Sequence, residues 1–117
     1  MDVRVTRVYD PPGSDDGARV LVDRLWPRGL ARAKAALDEW DRAVAPSTEL
    51  REWYGHDPDR FEDFAARYEQ ELEDPERAAA FDDLRRRATG SPRLTLLTAV
   101  RAVEISHAEV LRRLLTA

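Results

Sequence analysis

The segment LTLLTAV, residues 94–100, constrains the fold more than any other stretch of this chain. It is apolar or β-branched almost without interruption, where a strand with one wet face would alternate. Such a strand is covered on both sides, the usual condition of a parallel sheet held between two layers. It lies late in the chain, with helical stretches before it and one after it.

The remaining elements follow from period and punctuation. Residues 3–9, VRVTRVY, alternate well enough for a strand, with a slip of phase near Thr6. DPPGSDDG, residues 10–17, is a loop, and RVLVD, residues 19–23, is a short buried strand with a polar end. Residues 33–42 carry Ala36, Leu37 and Trp40 and are expected to form a short helix. Ser47 or Thr48 caps a further helix through Trp53. From about Asp59 to Leu72, the residues Phe61, Phe64, Ala65, Tyr68 and Leu72 share one helical face, and Asp57 or Pro58 marks the start. Another helix runs from Glu76 to Ala88 and stops at Gly90 and Pro92, and a last one from Ser106 to Leu115. The expected fold is a small three-layer α/β domain spanning residues 1–117, with a short, mainly parallel sheet flanked by helices. The alternative is an α+β arrangement that opens with a β-hairpin.

Composition removes whole classes of function. There is no cysteine among the 117 residues, so disulfides, thiolate nucleophiles and thiolate metal sites are absent. With only two histidines, a zinc site would need carboxylates brought from afar, and no metal or cofactor is expected. Neither a P-loop nor a dinucleotide-binding glycine pattern occurs, and no GxSxG elbow. No apolar run is long enough to span a membrane, and the charged start MDVRVTRVYD is unlike a signal peptide, so a cytoplasmic protein is expected. The net charge of −4 argues against nucleic acid as a partner. All the basic residues but Lys34 are arginine, a bias that suits phosphate and carboxylate recognition but also follows from a GC-rich genome.

In parallel α/β sheets, ligands bind beyond the carboxyl ends of the strands. Two segments leave strands there. DRLWPRG, residues 23–29, offers Asp23 as a base or an orienting group, and Arg24 and Arg28 as a clamp around a rigid Trp26-Pro27 turn. Arg101 and His107 follow the last strand, with His107 in the first turn of the final helix. His56 lies beside Asp57 in GHDP, where a carboxylate can fix an imidazole tautomer. The catalytic candidates are therefore Asp23, His56 and His107, and the ligand-binding candidates are Arg24, Trp26, Arg28 and Arg101. An anionic small molecule, phosphate-bearing or nucleotide-like, is the expected ligand. The competing reading is an interaction module without catalysis, using its charged helices or the Arg85-Arg86-Arg87 run.

RVLVDRLWPRGL (residues 19–30) and APSTELREWYGHDPDRFEDFAARYEQEL (residues 45–72) resemble the YeaO-like branch of the domain-of-unknown-function 488 family, and the likeness extends through LTLLTAV and the last helix. The resemblance implies a small single-domain α/β protein without an established activity. It also marks a departure. Such proteins typically place an Asp and a His after the last strand where this chain has Ala102 and Ile105, while Arg101 and His107 are kept. If that Asp and His carry chemistry in such proteins, the resemblance implies that this chain has lost it and keeps binding alone, or that it takes a different substrate.

Overall fold

The computed structural model describes residues 1–117. Strands β1 (Val3–Arg7), β2 (Ala18–Leu21), β3 (Glu39–Trp40) and β4 (Leu94–Thr98) form one sheet in the order β1-β4-β2-β3. Every pairing is parallel. The hairpin alternative fails because β4 lies between β1 and β2, which never pair. Helices are α1 (Arg32–Ala35), α2 (Thr48–Tyr54), α3 (Phe61–Glu71), α4 (Pro75–Thr89) and α5 (His107–Thr116). Single 3-10 turns occupy Arg42–Val44, Pro58–Arg60 and Val103–Ile105.

All five residues of β4 are buried, and the sheet register explains why. Val5, Leu96 and Val20 are in line across three strands and face a large core built with α2, α3, α4 and α5. Leu97 and Leu21 are in line one residue further on and face the opposite side. There they meet Val8, Trp26, Leu30, Leu37 and Trp40 in a second, smaller cluster. The covering layers are unequal: four helices on one face, and the 23–37 segment with its single helical turn on the other. The slip of phase after Thr6 has the same origin. Val3 and Val5 serve the first face, whereas Val8 crosses to the second.

The helix expected over residues 33–42 is corrected. It ends after one turn, because Ala36 adopts a left-handed conformation with φ of 50°. A continuing helix needs the carbonyls of Ala35 and Ala36 for the N–H groups four residues on. The buried Arg19 guanidinium takes both instead, with Nη2 donating to Ala35 O at 3.1 Å and Nε to Ala36 O at 3.0 Å. Its Nη1 pairs with Asp16. The Asp38 carboxylate accepts from Arg19 N at 2.7 Å, and residues 39–40 then pair with β2 as the fourth strand.

The other helices begin where their caps predict. Ser47 accepts from Leu50 N and Ser106 from Glu109 N, while Asp57 caps the turn that leads into α3. Pro75 occupies the first turn of α4, where its missing N–H costs nothing. No helix is long and apolar enough to cross a membrane.

Candidate functional site

A cleft of about 840 Å³ opens beyond the carboxyl ends of β2 and β4. All seven residues singled out in the sequence line it: Asp23, Arg24, Trp26, Arg28, His56, Arg101 and His107. The cleft also takes in Ala102 and Ile105, so both departures from the resembled pattern fall on its wall.

The floor is a carboxylate with both oxygens engaged. Asp23 Oδ1 accepts from Thr98 Oγ1 at 2.7 Å and lies 3.2 Å from His107 Nε2. Asp23 Oδ2 accepts from the Ala99 N–H at 2.7 Å. Burial alone pushes this carboxyl up, but the His107 contact, the Ala99 N–H and the Thr98 hydroxyl together outweigh it and hold it below its ordinary value. Asp23 is thus a fixed anion whose oxygens are occupied by the protein. His107 begins α5 and is buried, with Nε2 also 3.1 Å from Val22 O.

One wall is the DRLWPRG loop, held at several points. Trp40 Nε1 donates to Asp23 O at 2.7 Å, Trp26 Nε1 to Leu30 O at 2.8 Å, and Tyr9 OH to Arg28 O at 2.8 Å. Gly29 makes the turn at φ of 75°. The Trp26 and Trp40 rings meet edge to face at 5.3 Å, and the Arg32 guanidinium covers Trp26 at 4.3 Å. Trp26 therefore belongs to the second core cluster as well as to the cleft.

The facing wall is α2, which sequence reasoning passed over. Thr48, Arg51 and Glu52 fall on one helical face at i, i+3, i+4 spacing and line the cleft. That spacing is readable in STELREW. The segment leading into α2 is strapped from behind. Tyr68 OH donates to Val44 O, Arg77 Nε to Ala45 O at 3.0 Å, and Glu71 accepts from both the Ser47 N–H and its hydroxyl. Burial pushes the Tyr68 phenol well up, so it remains a neutral donor. Behind the cleft, Tyr54 stacks on Phe64 at 4.2 Å, and its hydroxyl donates to Ile105 O at 2.6 Å.

His56 is exposed and holds a positive φ of 57°, directly after Gly55 at 54°. Its ring lies 6.1 Å from that of Tyr54. Asp57 does not orient it, because that carboxylate caps Asp59 N and faces Arg60. No three His, Asp or Glu side chains converge closely enough to hold a metal ion.

The arginines separate into two sets. Arg24, Arg28, Arg51 and Arg101 have neither a carboxylate partner nor an aromatic ring to stack on, and all four line the cleft. Every other arginine in the chain has one or the other. That holds for the basic run too: Arg85 stacks on Phe81, Arg86 pairs with Asp83 and Arg87 with Glu39.

Comparisons with known proteins agree with the resemblance. Residues 2–117 match the model DUF488-N3i, described as the inactive DUF488-N3 subclade. An uncharacterized protein of Mycobacterium tuberculosis is 51% identical over 113 residues, covering 97% of this chain and 92% of that protein. A protein of Mycobacterium bovis, also uncharacterized, matches with the same figures. The uncharacterized protein YeaO of Escherichia coli is 39% identical over 112 residues, 95% of this chain and 94% of its own. No solved structure matches.

Proposed function

The chain belongs to the YeaO-like DUF488 family, and we propose that its cleft binds an anionic, phosphate-bearing small molecule without turning it over. One observation carries the reading: the four arginines free of internal partners are the four that line the cleft. Guanidinium groups left unpaired around a concavity are donors in search of an anion, and each can bind phosphate or carboxylate oxygens in a fork. Arg24 and Arg28 would clamp the anion from the loop, Arg51 from α2 and Arg101 from the end of β4. The cleft volume falls within the ~300–1,000 Å³ usual for small-molecule sites.

The binding reading is also supported by what the proton-handling groups lack. Both Asp23 oxygens already accept from groups of the protein. Ala102 and Ile105 put apolar side chains where the resembled pattern has an acid and an imidazole. The subclade's description as inactive points the same way. Asp23 then serves to shape the floor and to anchor His107.

The test is titration calorimetry with inorganic phosphate, pyrophosphate and a panel of phosphorylated and carboxylated metabolites. At least one of these is expected to bind. Arg28→Ala should weaken that binding by roughly 10- to 150-fold, the loss of a charge-assisted contact of ~1.5–3 kcal/mol. Arg86→Ala, on the far helix α4, should leave it unchanged. Silence across the panel, or wild-type affinity in both Arg28→Ala and Arg51→Ala, removes the reading.

A further inference from the structure

The cleft holds acceptors as well as donors, and they narrow the ligand. His107 Nε2 faces two groups that can only accept, Val22 O at 3.1 Å and Asp23 Oδ1 at 3.2 Å. Nε2 therefore carries a proton, and in the neutral form of the ring Nδ1 presents a lone pair. Nδ1 has no partner in the protein. The sealed side-chain polar atoms without a partner are Arg7 Nε and Asp41 Oδ2, so Nδ1 opens to the cleft that His107 lines. Glu52 is the second acceptor. It stands on the cleft face of α2 beside Arg51, yet it forms no ion pair with that or any other arginine.

A bare inorganic anion satisfies the arginines but neither acceptor, and the Glu52 carboxylate repels it. A ligand with an ammonium group would suit Glu52, but its charge would meet four arginines. What suits both sets is an anion whose remainder carries neutral donors. We infer that the cleft selects a hydroxyl-bearing phosphate ester, its phosphate held by Arg24, Arg28, Arg51 and Arg101 and its hydroxyls donating to His107 Nδ1 and Glu52. The cleft volume of about 840 Å³ exceeds what one phosphate group fills, leaving room for such a remainder. This inference rests on the anion-binding reading and adds the class of molecule attached to the anion.

The experiment compares methyl phosphate, which has the charge but no hydroxyl donors, with pentose and hexose monophosphates, by titration calorimetry at about pH 8. The best sugar phosphate is expected to bind at least tenfold tighter than methyl phosphate. In Glu52→Ala that advantage should shrink to about threefold or less, while methyl phosphate binds as well as before or better. Glu52 is exposed on α2, so the variant should melt within a degree or two of wild type, and that melting curve is recorded first. Methyl phosphate and the sugar phosphates binding equally would overturn this inference and leave the anion site standing. An advantage unchanged in Glu52→Ala would overturn the assigned acceptor role. No binding by any of these phosphates would bring down the anion reading itself, and this inference with it.

Discussion

Asp41 is the most instructive single residue for stability, because it stands in the fold at a net cost. It lies just past β3 and is 9% exposed, and its Oδ2 is sealed without a partner. Burial, reinforced by the Glu39 and Asp83 charges, raises its pKa to about 6, against partial relief from the Val44 N–H and Arg87. The unfolded carboxyl titrates near ~3.9. Between those values the folded chain holds a proton that the unfolded chain has released, so stability falls as pH rises through that window. A carboxyl raised that far destabilises the folded chain at neutral pH by about 3 kcal/mol at most. Solvent screening of the neighbouring surface charges reduces this to ~1.5 kcal/mol. Asp41→Asn removes the charge and keeps the shape. For 117 residues the unfolding entropy is roughly 0.25 kcal/mol/K, so each kcal/mol moves Tm by about 4 °C. The variant is therefore expected to melt ~6 °C above wild type at pH 7.5, the gap closing by about pH 4, in thermal unfolding followed by circular dichroism. Equal melting at neutral pH, or a gap that does not change with pH, would refute the assignment of an unfavourable buried charge.

Two further substitutions probe the supports of the cleft. Asp23→Asn keeps one acceptor but turns an amide toward donors, and should cost about 3 kcal/mol, ~12 °C in Tm, at neutral pH. Its pH dependence has the opposite sign to that of Asp41. The folded carboxyl is held low, so its contribution is present above the unfolded value near ~3.9 and lost as pH falls further; the deficit of the variant should shrink in acid. Glu71→Ala removes both bonds to Ser47 and should lower Tm by about 8 °C, for ~2 kcal/mol. Because α2 carries Arg51 and Glu52, the same variant should weaken anion binding severalfold without touching the ligand, as calorimetry would register.

Much of this fold was legible because its signals are local. The unbroken apolar run of β4 announced a sheet covered on both faces, and the registers of Leu96 and Leu97 are the reason. Ser47, Ser106 and Asp57 marked helix starts through chemistry that depends on one or two neighbours. The parallel-sheet rule led to Asp23, Arg24, Arg28, Arg101 and His107 because it depends only on which strand ends carry polar residues. The misread stretch depends on distance. Whether residues 36–40 continue a helix is decided by Arg19, whose guanidinium arrives from β2 to claim two carbonyls. Nothing within the segment itself records that claim. Arg51 and Glu52 were passed over for a related reason. Charged residues on a short helix read as solvent-facing until the DRLWPRG loop is folded opposite them.

On the proposed reading, that loop and α2 let a cleft bind without chemistry. The groups that hold a ligand on that reading are long, exposed arginines, and they need little from the interior beyond rigid backbones. Trp26, Trp40 and Tyr9 fix one wall, and Tyr68, Glu71 and Arg77 fix the other. Proton transfer demands more: an acid or base with a free atom, aimed at the ligand and held by a partner. Asp23 has the partners but gives both oxygens to them, and of the held groups only His107, anchored through Nε2 to Asp23, keeps a free atom, Nδ1. His56 has free atoms but no partner, since Asp57 caps the turn that follows. Ala102 and Ile105 stand where the resembled pattern supplies two more titratable groups. If either acted as a dispensable remnant, restoring Ala102→Asp and Ile105→His would change nothing but stability. On the binding reading the restored pair enters a cleft already equipped with arginines, and the double variant should slowly hydrolyse a sugar phosphate that the native chain only binds, water adding to phosphorus as the sugar alcohol leaves and inorganic phosphate is released. Unaltered ligand after prolonged incubation, with binding intact, would show that these two positions are not what separates binding from turnover here.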